Sequence, residues 1–493
     1  MPKIEEIQIH PLGWETDPEE ERFKLSTLDY LSTVTYTNSA FFFRLTDEEK
    51  TKAAEVLRKG LEITLSQVRH LVGTIERDED GHSIVRKKDT TVQLVLQHLD
   101  TPEDTYPSFS TIANAHFLAP ILGDINVLSN APMTCGNKPE AHPDNHPVVA
   151  SYKINLIPGG IIFNVHSHHW SNGLVGANGF WEQLAENCFS IVNSTSPPSF
   201  DPRCLDRSLF NVPGFPNSKT SPSIAPKTDA PPRAHKNIQH KPSQFIMFHL
   251  PKSKAALLKA AAMPSSGARI STYNALCALL WRVLTRLRIP LYKPDPAYKP
   301  FWAEGVSLNK LFTDPPIPAR MQGNLQFDIT SAMSGVPALT VAEISSSASL
   351  AKLAMYTRAM TDSVTLDMLH AKLAPFANVR NKHDLSIHVD AFPPLSLLVS
   401  DWRMADLCTY DFGFGKMECH RHLFGGVPLS QVVVYPARVG PAGEDEGLEV
   451  MFAIENELVQ GLMGDREWGR YFEYRGVDAW DEEEKGVDMK AKL

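Results

Sequence analysis

Cysteine is scarce in this chain. There are six in 493 residues, at Cys135, Cys188, Cys204, Cys277, Cys408 and Cys419. None forms a C-x-x-C pair, which argues against the usual zinc and thiol-exchange patterns and points to reduced thiols in a cytoplasmic protein. Long apolar runs are missing as well. No stretch approaches the length of a membrane-spanning helix, and "MPKIEEIQIHPLGWE" lacks the basic start and apolar core of a secretory signal. An excess of positive charge is also absent: 48 Lys and Arg against 57 Asp and Glu give a net charge of −9, which argues against a general nucleic-acid binder. No short repeat occurs. There is no G-x-S-x-G elbow, so an activated serine of the hydrolase kind is not expected.

What is present reads as two α/β units. The chain is too long for one ordinary core, and its 43% hydrophobic content is that of a globular protein. "KIEEIQIHPLG" and the second half of "FKLSTLDYLSTVTYTNSAFFFRL" read as strands. From Asp47 to about Val72, apolar residues recur at helical spacing behind an acidic first turn. "RDEDGHSIV" reads as a hairpin turn, and "VVASYKINLIPGGIIFNVH" as two strands joined at Pro158-Gly159-Gly160. A helical pattern follows from Gly179. Residues 196–243 are rich in Pro, Ser and Lys and are expected to form an unpacked crossover between an N-terminal domain (1–195) and a C-terminal domain (244–493). Beyond it lie the strand "QFIMFHL", an apolar helix capped by Ser271, the strands "LSLLVSDW", "QVVVYPA" and "GLEVMFAIE", a short helix around "ENELVQGLMGD" and an acidic tail.

The chemistry concentrates in "VHSHHWSNGLVG", residues 165–176. Three readings compete. Zinc would need His166, His168 and His169 to converge, yet on a strand 166 and 168 share a face and 169 opposes them. The "CHRH" of 419–422 likewise lacks a partner pair. A structural cluster is the second reading. The third is a general base: a histidine at a strand end, ahead of a helix, that takes a proton from a substrate hydroxyl or amine.

Five fragments then form a pattern. "LSTLD" (25–29), "GGIIFNVHSHHWSNGLVGANGFW" (159–181), "STYNALCALLWRVLTR" (271–286), "DPPIPARMQGN" (314–324) and "DFGFG" (411–415) occur in order over most of the chain. The sequence resembles the BAHD-type acyl-CoA-dependent acyltransferases, in particular their fungal branch, which includes trichothecene 3-O-acetyltransferase. The resemblance implies an α/β fold of two chloramphenicol-acetyltransferase-like domains, each a mixed sheet with helices, and an active-site channel between them. It implies a monomer that uses acyl-CoA as cosubstrate, binds no metal or resident cofactor, and acylates a hydroxyl or amine of a hydrophobic small molecule in secondary metabolism.

The family register makes His169 the catalytic base, with His168 the runner-up paired to Asn172. It places the aspartate of the family's H-x-x-x-D motif at Gly173, and the arginine that pairs with that aspartate at Lys310. Both partners of the family ion pair are thus altered together. Asp411, Phe412, Gly413, Phe414 and Gly415 correspond to the D-F-G-W-G signature and are expected to shape the channel, with Phe414 in place of tryptophan. The lost aspartate leaves two alternatives: the same fold turned to another histidine-assisted step such as cyclisation or condensation, or a non-catalytic small-molecule binder.

Overall fold

The computed structural model describes residues 3–79, 81–130, 140–211, 239–314, 316–379, 382, 385, 392–438, 443 and 445–481. Cys135 and the acidic tail beyond Asp481 lie outside them. The strands of the first half are β1 (Ile4–Ile9), β2 (Glu20–Lys24), β3 (Tyr36–Arg44), β4 (Thr74–Asp78), β5 (Gly81–Lys87), β6 (Val92–His98), β7 (Ala150–Ile157) and β8 (Gly160–His168). Those of the second are β9 (Ser243–Leu250), β10 (Trp302–Ser307), β11 (Gln326–Thr330), β12 (Leu397–Asp401), β13 (Cys419–His422), β14 (Gln431–Tyr435), β15 (Leu448–Glu455) and β16 (Glu473–Trp480).

Two large mixed sheets result. The first has the order β1-β6-β7-β8-β3-β13 and the second β11-β10-β12-β14-β15-β9-β16, while β2-β5-β4 form a small third sheet. Only β6–β7 in the first and β10–β12–β14 in the second run parallel. This is the α/β architecture of two mixed sheets with helices.

Helix Lys50–Gln67 packs against helix Leu174–Asn193 beside the first sheet. They approach so closely at Gly60 that a Cβ there would lie 2.3 Å from the Cys188 sulfur. The second sheet is covered by helix Thr272–Tyr292, which is buried on nearly every side. Ser271 caps it as expected, in a reciprocal box with Asn274.

Two expectations need correction. The stretch 196–243 is not uniformly unpacked. Residues 212–238 lie outside the described residues, but Pro202–Leu205 and Arg207–Phe210 form short 3₁₀ turns capped by Asp201 and Asp206. Cys204, Arg207 and Phe210 are buried. A proline in the first turn of a helix sacrifices no hydrogen bond, so Pro202 starts structure here.

The second concerns DFGFG, grouped by position with the C-terminal half. β13 pairs antiparallel with β3 at the edge of the first sheet, setting Arg421 opposite Ala40. The preceding DFGFG segment therefore packs on the first sheet: Phe412 and Phe414 both contact Phe43.

The two sheets are stapled by charge. Arg421 of β13 donates to Glu449 of β15 at 2.7 Å, and both side chains are buried. Arg438 approaches the other Glu449 oxygen at 3.4 Å. Burial pushes the Glu449 carboxyl up, but Arg421 and Arg438 outweigh it and leave the group below its ordinary value. Removing one partner of such a pair strands the other without compensation. Glu449→Ala should therefore cost about 3–5 kcal/mol, read from denaturant unfolding. Because its folded-state pKa is depressed, Glu449 contributes stability above the ordinary glutamate pKa, and that stability fades as pH falls through the folded value. The Glu449→Gln protein should lose less stability than the parent on acidification below about pH 4.3.

Candidate active site

Residues of β8 alternate between faces. His166 and His168 share one face: the His166 ring stacks on Tyr36 at 4.3 Å, and His168 meets Tyr36 edge-on at 5.3 Å. Both nitrogens of His168 are committed. Nε2 donates to the Ala141 carbonyl at 2.9 Å, and Nδ1 accepts from the Trp170 N–H at 3.1 Å. Burial pushes its pKa down to about 4. The arrangement leaves the runner-up base with no free edge.

The chain leaves the strand at His169. Its N–H donates to the Thr35 carbonyl at 2.9 Å, and its ring borders a cavity of about 480 Å³ between the two sheets. Nδ1 is buried in the protein, while the residue as a whole is only half-buried. Burial holds the imidazole below the ordinary histidine value. Hydrogen bonding to its own backbone and to Asn324, together with the Asp29 charge, partly opposes that shift.

Gly173 and Lys310 do not face each other. Lys310 is exposed on the short turn Leu308–Lys310, whereas a Cβ at Gly173 would lie 2.6 Å from the Asn324 side-chain oxygen. A side chain at 173 would have to displace the Asn324 amide, which occupies that space and is itself held by Ser32 and Asp29.

The loop is held by other groups. Asp29 is wholly buried and accepts from the Asn324 N–H at 3.1 Å and its side-chain amide at 2.9 Å. The Ser26 N–H and hydroxyl also donate to it, at 2.8 and 2.9 Å. Arg207, buried as well, pairs with Asp29 at 3.2 Å and donates to the carbonyls of Trp170, at 3.2 Å, and Ser171.

Asn324 completes the clamp by donating to the His169 carbonyl at 3.0 Å. Asn172, the residue one short of the motif position, donates to Gln322 at 2.9 Å and accepts from the Gly323 N–H at 2.6 Å. Every residue from His169 to Gly173 is thereby tied by backbone or side chain to another segment.

Asp29 and Asn324 lay within quoted landmarks, "LSTLD" and "DPPIPARMQGN", without an assigned role. Arg207 lay in the expected linker, where nothing in the sequence singled it out.

DFGFG does not border the cavity. Asp411 accepts from the Gly413 N–H at 2.8 Å, and Phe412 N–H donates to the Gly415 carbonyl at 3.0 Å. Gly413 has φ 82°, and a Cβ there would press 2.8 Å from Val192. The segment braces the far end of helix Leu174–Asn193.

Of the 419–422 histidines, His420 lies among Phe41, Trp181 and Trp402, while His422 reaches the cavity. Among the described residues no three His, Cys, Asp or Glu side chains are grouped to hold a metal, and no helix is long and apolar enough to cross a membrane.

Two mixed sheets with a cavity between them form the two-domain fold of the acyltransferases. The chain belongs to the Transferase family, the BAHD-type acyl-CoA-dependent acyltransferases, whose family model matches residues 15–467. It is 47% identical over 481 residues to the acetyltransferase FGR3 of Gibberella zeae, covering 97% of this chain and 95% of that one. The trichothecene 3-O-acetyltransferase TRI101 of Fusarium sporotrichioides is 25% identical over 415 residues, covering 82% and 84% of the two chains.

The structure of F. graminearum TRI101 complexed with ethyl coenzyme A matches 93% of this chain and 100% of its own, with a TM-score of 0.72 at 21% identity. Vinorine synthase matches 96% and 100%, with a TM-score of 0.66 at 15% identity. At these identities the two structures speak for the fold.

The clamp gives a direct test. Gly173→Asp should unfold at lower temperature and turn over more slowly, because its carboxylate collides with Asn324. Adding Lys310→Arg should restore neither. Asp29→Ala should destabilise by about 3–5 kcal/mol by stranding Arg207. The double replacement Asp29→Ala, Arg207→Met should recover part of that stability without restoring turnover. Thermal melts and steady-state assays on the same preparations check both.

Proposed function

We propose that the cavity is an acyl-transfer chamber in which His169 is the general base. A hydroxyl of a hydrophobic acceptor lies against Nε2 and gives up its proton as its oxygen attacks the thioester carbonyl of acyl-CoA. The tetrahedral intermediate collapses with loss of the CoA thiolate, which takes the proton back from the imidazolium. The carrying observation is the disposition of His169: a half-buried ring on the cavity lining with Nδ1 turned into the protein, and the backbone beside it fixed by Asn324 and Arg207. Such fixation supports a base that must meet its proton in one geometry.

The developing oxyanion needs a donor, and His422 is suited to the task. Its Nδ1 lies 2.8 Å from the Tyr435 hydroxyl, and the ring borders the same cavity. With the tyrosine donating, the proton resides on Nε2, the edge left for the chamber. Burial and the neighbouring His169 hold its pKa near 3, so it stays neutral and donates without titrating at working pH.

The acetyltransferases among the relatives support acetyl-CoA as donor, and TRI101 supports a hydroxyl acceptor of terpenoid or polyketide type in fungal secondary metabolism. A monomer in the cytoplasm fits this role. The lost motif aspartate was the reason to consider a repurposed enzyme or a mere binder. With Asp29, Arg207 and Asn324 holding the loop, that reason loses its force.

His169→Ala should lower turnover of acetyl-CoA and an alcohol by roughly 10²–10⁴-fold, measured by thiol release and mass spectrometry of the ester. His168→Ala should act chiefly on the melting temperature. His422→Phe should reduce kcat by roughly 10²–10³-fold with coenzyme A affinity preserved. As the neutral imidazole is the active form and its pKa is depressed, kcat/KM should stay level down to about pH 6.5 and fall only below it. An acid limb centred above that pH would exclude His169 as the base.

A further inference from the structure

The wall opposite His169 carries a charge that the reaction does not use. On β11, Gln326, Phe327, Asp328 and Thr330 all line the cavity, and Phe327 and Ile329 also join the hydrophobic core. Asp328 has no hydrogen bond or ion pair among the described residues. Its cross-strand neighbour is Gly305, which has no side chain to cover it. A Cβ at that glycine would only touch the Asp328 carboxylate oxygen, at 3.4 Å. The other carboxylate on this wall, Asp401, is already matched by Arg403 at 2.6 Å.

Burial alone pushes the Asp328 carboxyl up to about 6, and Lys372, the cation on the cavity lining among the described residues, does not counter it. The group is therefore ionised at neutral to mildly alkaline pH, and it is a half-buried charge on the cavity wall with no partner among the described residues. Ser307 and Gln326 on the same lining offer neutral partners for ligand hydroxyls. What Asp328 adds to the chamber is negative charge.

We propose that Asp328 is a subsite for a protonated amine of the acceptor, held away from the hydroxyl that is acylated. The occupant is thus an amino alcohol of largely apolar body, its ammonium on Asp328 and its hydroxyl at His169. This rests on the acyl-transfer reading of the chamber, and the test separates the two.

Isothermal titration in the presence of coenzyme A would compare a homologous series of ω-(dimethylamino)alkan-1-ols with the neutral alkanols that carry an isopropyl terminus in place of the dimethylamino group. Wild type should bind the best-fitting amine roughly ten- to a hundredfold more tightly than its neutral counterpart, the range of a hydrogen bond to a charged group. Asp328→Asn, and Asp328→Ser as a second variant, should abolish that preference and leave the neutral alkanol unchanged. Equal affinity for the two series in wild type, or a preference that survives both variants, overturns the subsite. The same amines are then incubated with the enzyme and acetyl-CoA and assayed for ester by mass spectrometry. An Asp328-dependent preference without any ester product in that assay leaves the subsite standing and refutes the acyl-transfer reading instead.

Discussion

The site depends on one buried ion pair. Asp29 and Arg207 come from segments far apart in sequence, and neither keeps appreciable contact with solvent. Two charges so placed survive only if their remaining hydrogen-bonding capacity is also met. Here it is met by the loop that carries His169 and by the segment packed on it: Arg207 donates to the carbonyls of Trp170 and Ser171, and Asp29 accepts from the backbone N–H and the side-chain amide of Asn324. The same contacts that keep the pair from being a liability hold His169 in register. Stability of the core and geometry of the His169 loop are thus one constraint.

That arrangement explains how the family's aspartate can be absent. An H-x-x-x-D loop needs an anchor from within the loop and a partner from the other half of the chain. In this protein the partner segment, Gln322 to Asn324, comes close enough for amides to meet backbone directly, through Asn172 and Asn324. The approach requires glycine at 173, and also at 176, where a Cβ would lie 2.6 Å from the Gly323 carbonyl. Charge has moved from the fourth residue after the histidine to Asp29, beneath the loop.

The chamber has a corresponding electrostatic character. Its imidazoles, His169 and His422, are kept neutral by burial, and no metal or fixed cation is needed to make either useful. β13 delivers His422 from the C-terminal half onto the first sheet, and Arg421, its immediate neighbour, anchors that strand to Glu449 of the second. One short strand therefore closes the first sheet, brings His422 to the cavity and ties the two sheets together.

Local pattern alone sufficed for much of this. Period-two alternation placed β7, β8 and the shared face of His166 and His168, and 3.6-residue periodicity with an N-cap serine placed helix Thr272–Tyr292. The glycine and phenylalanine spacing after the strand singled out His169 once the family resemblance was in view. These features were legible because they depend on residues close in sequence. The partner of Gly173, the role of Arg207 inside a proline-rich stretch, the crossing of β13 to the first sheet and the unpaired state of Asp328 were decided only by the tertiary structure. Each depends on which distant segments share one desolvated space, where a buried charge must find a specific partner or go without. No local spacing encodes that pairing.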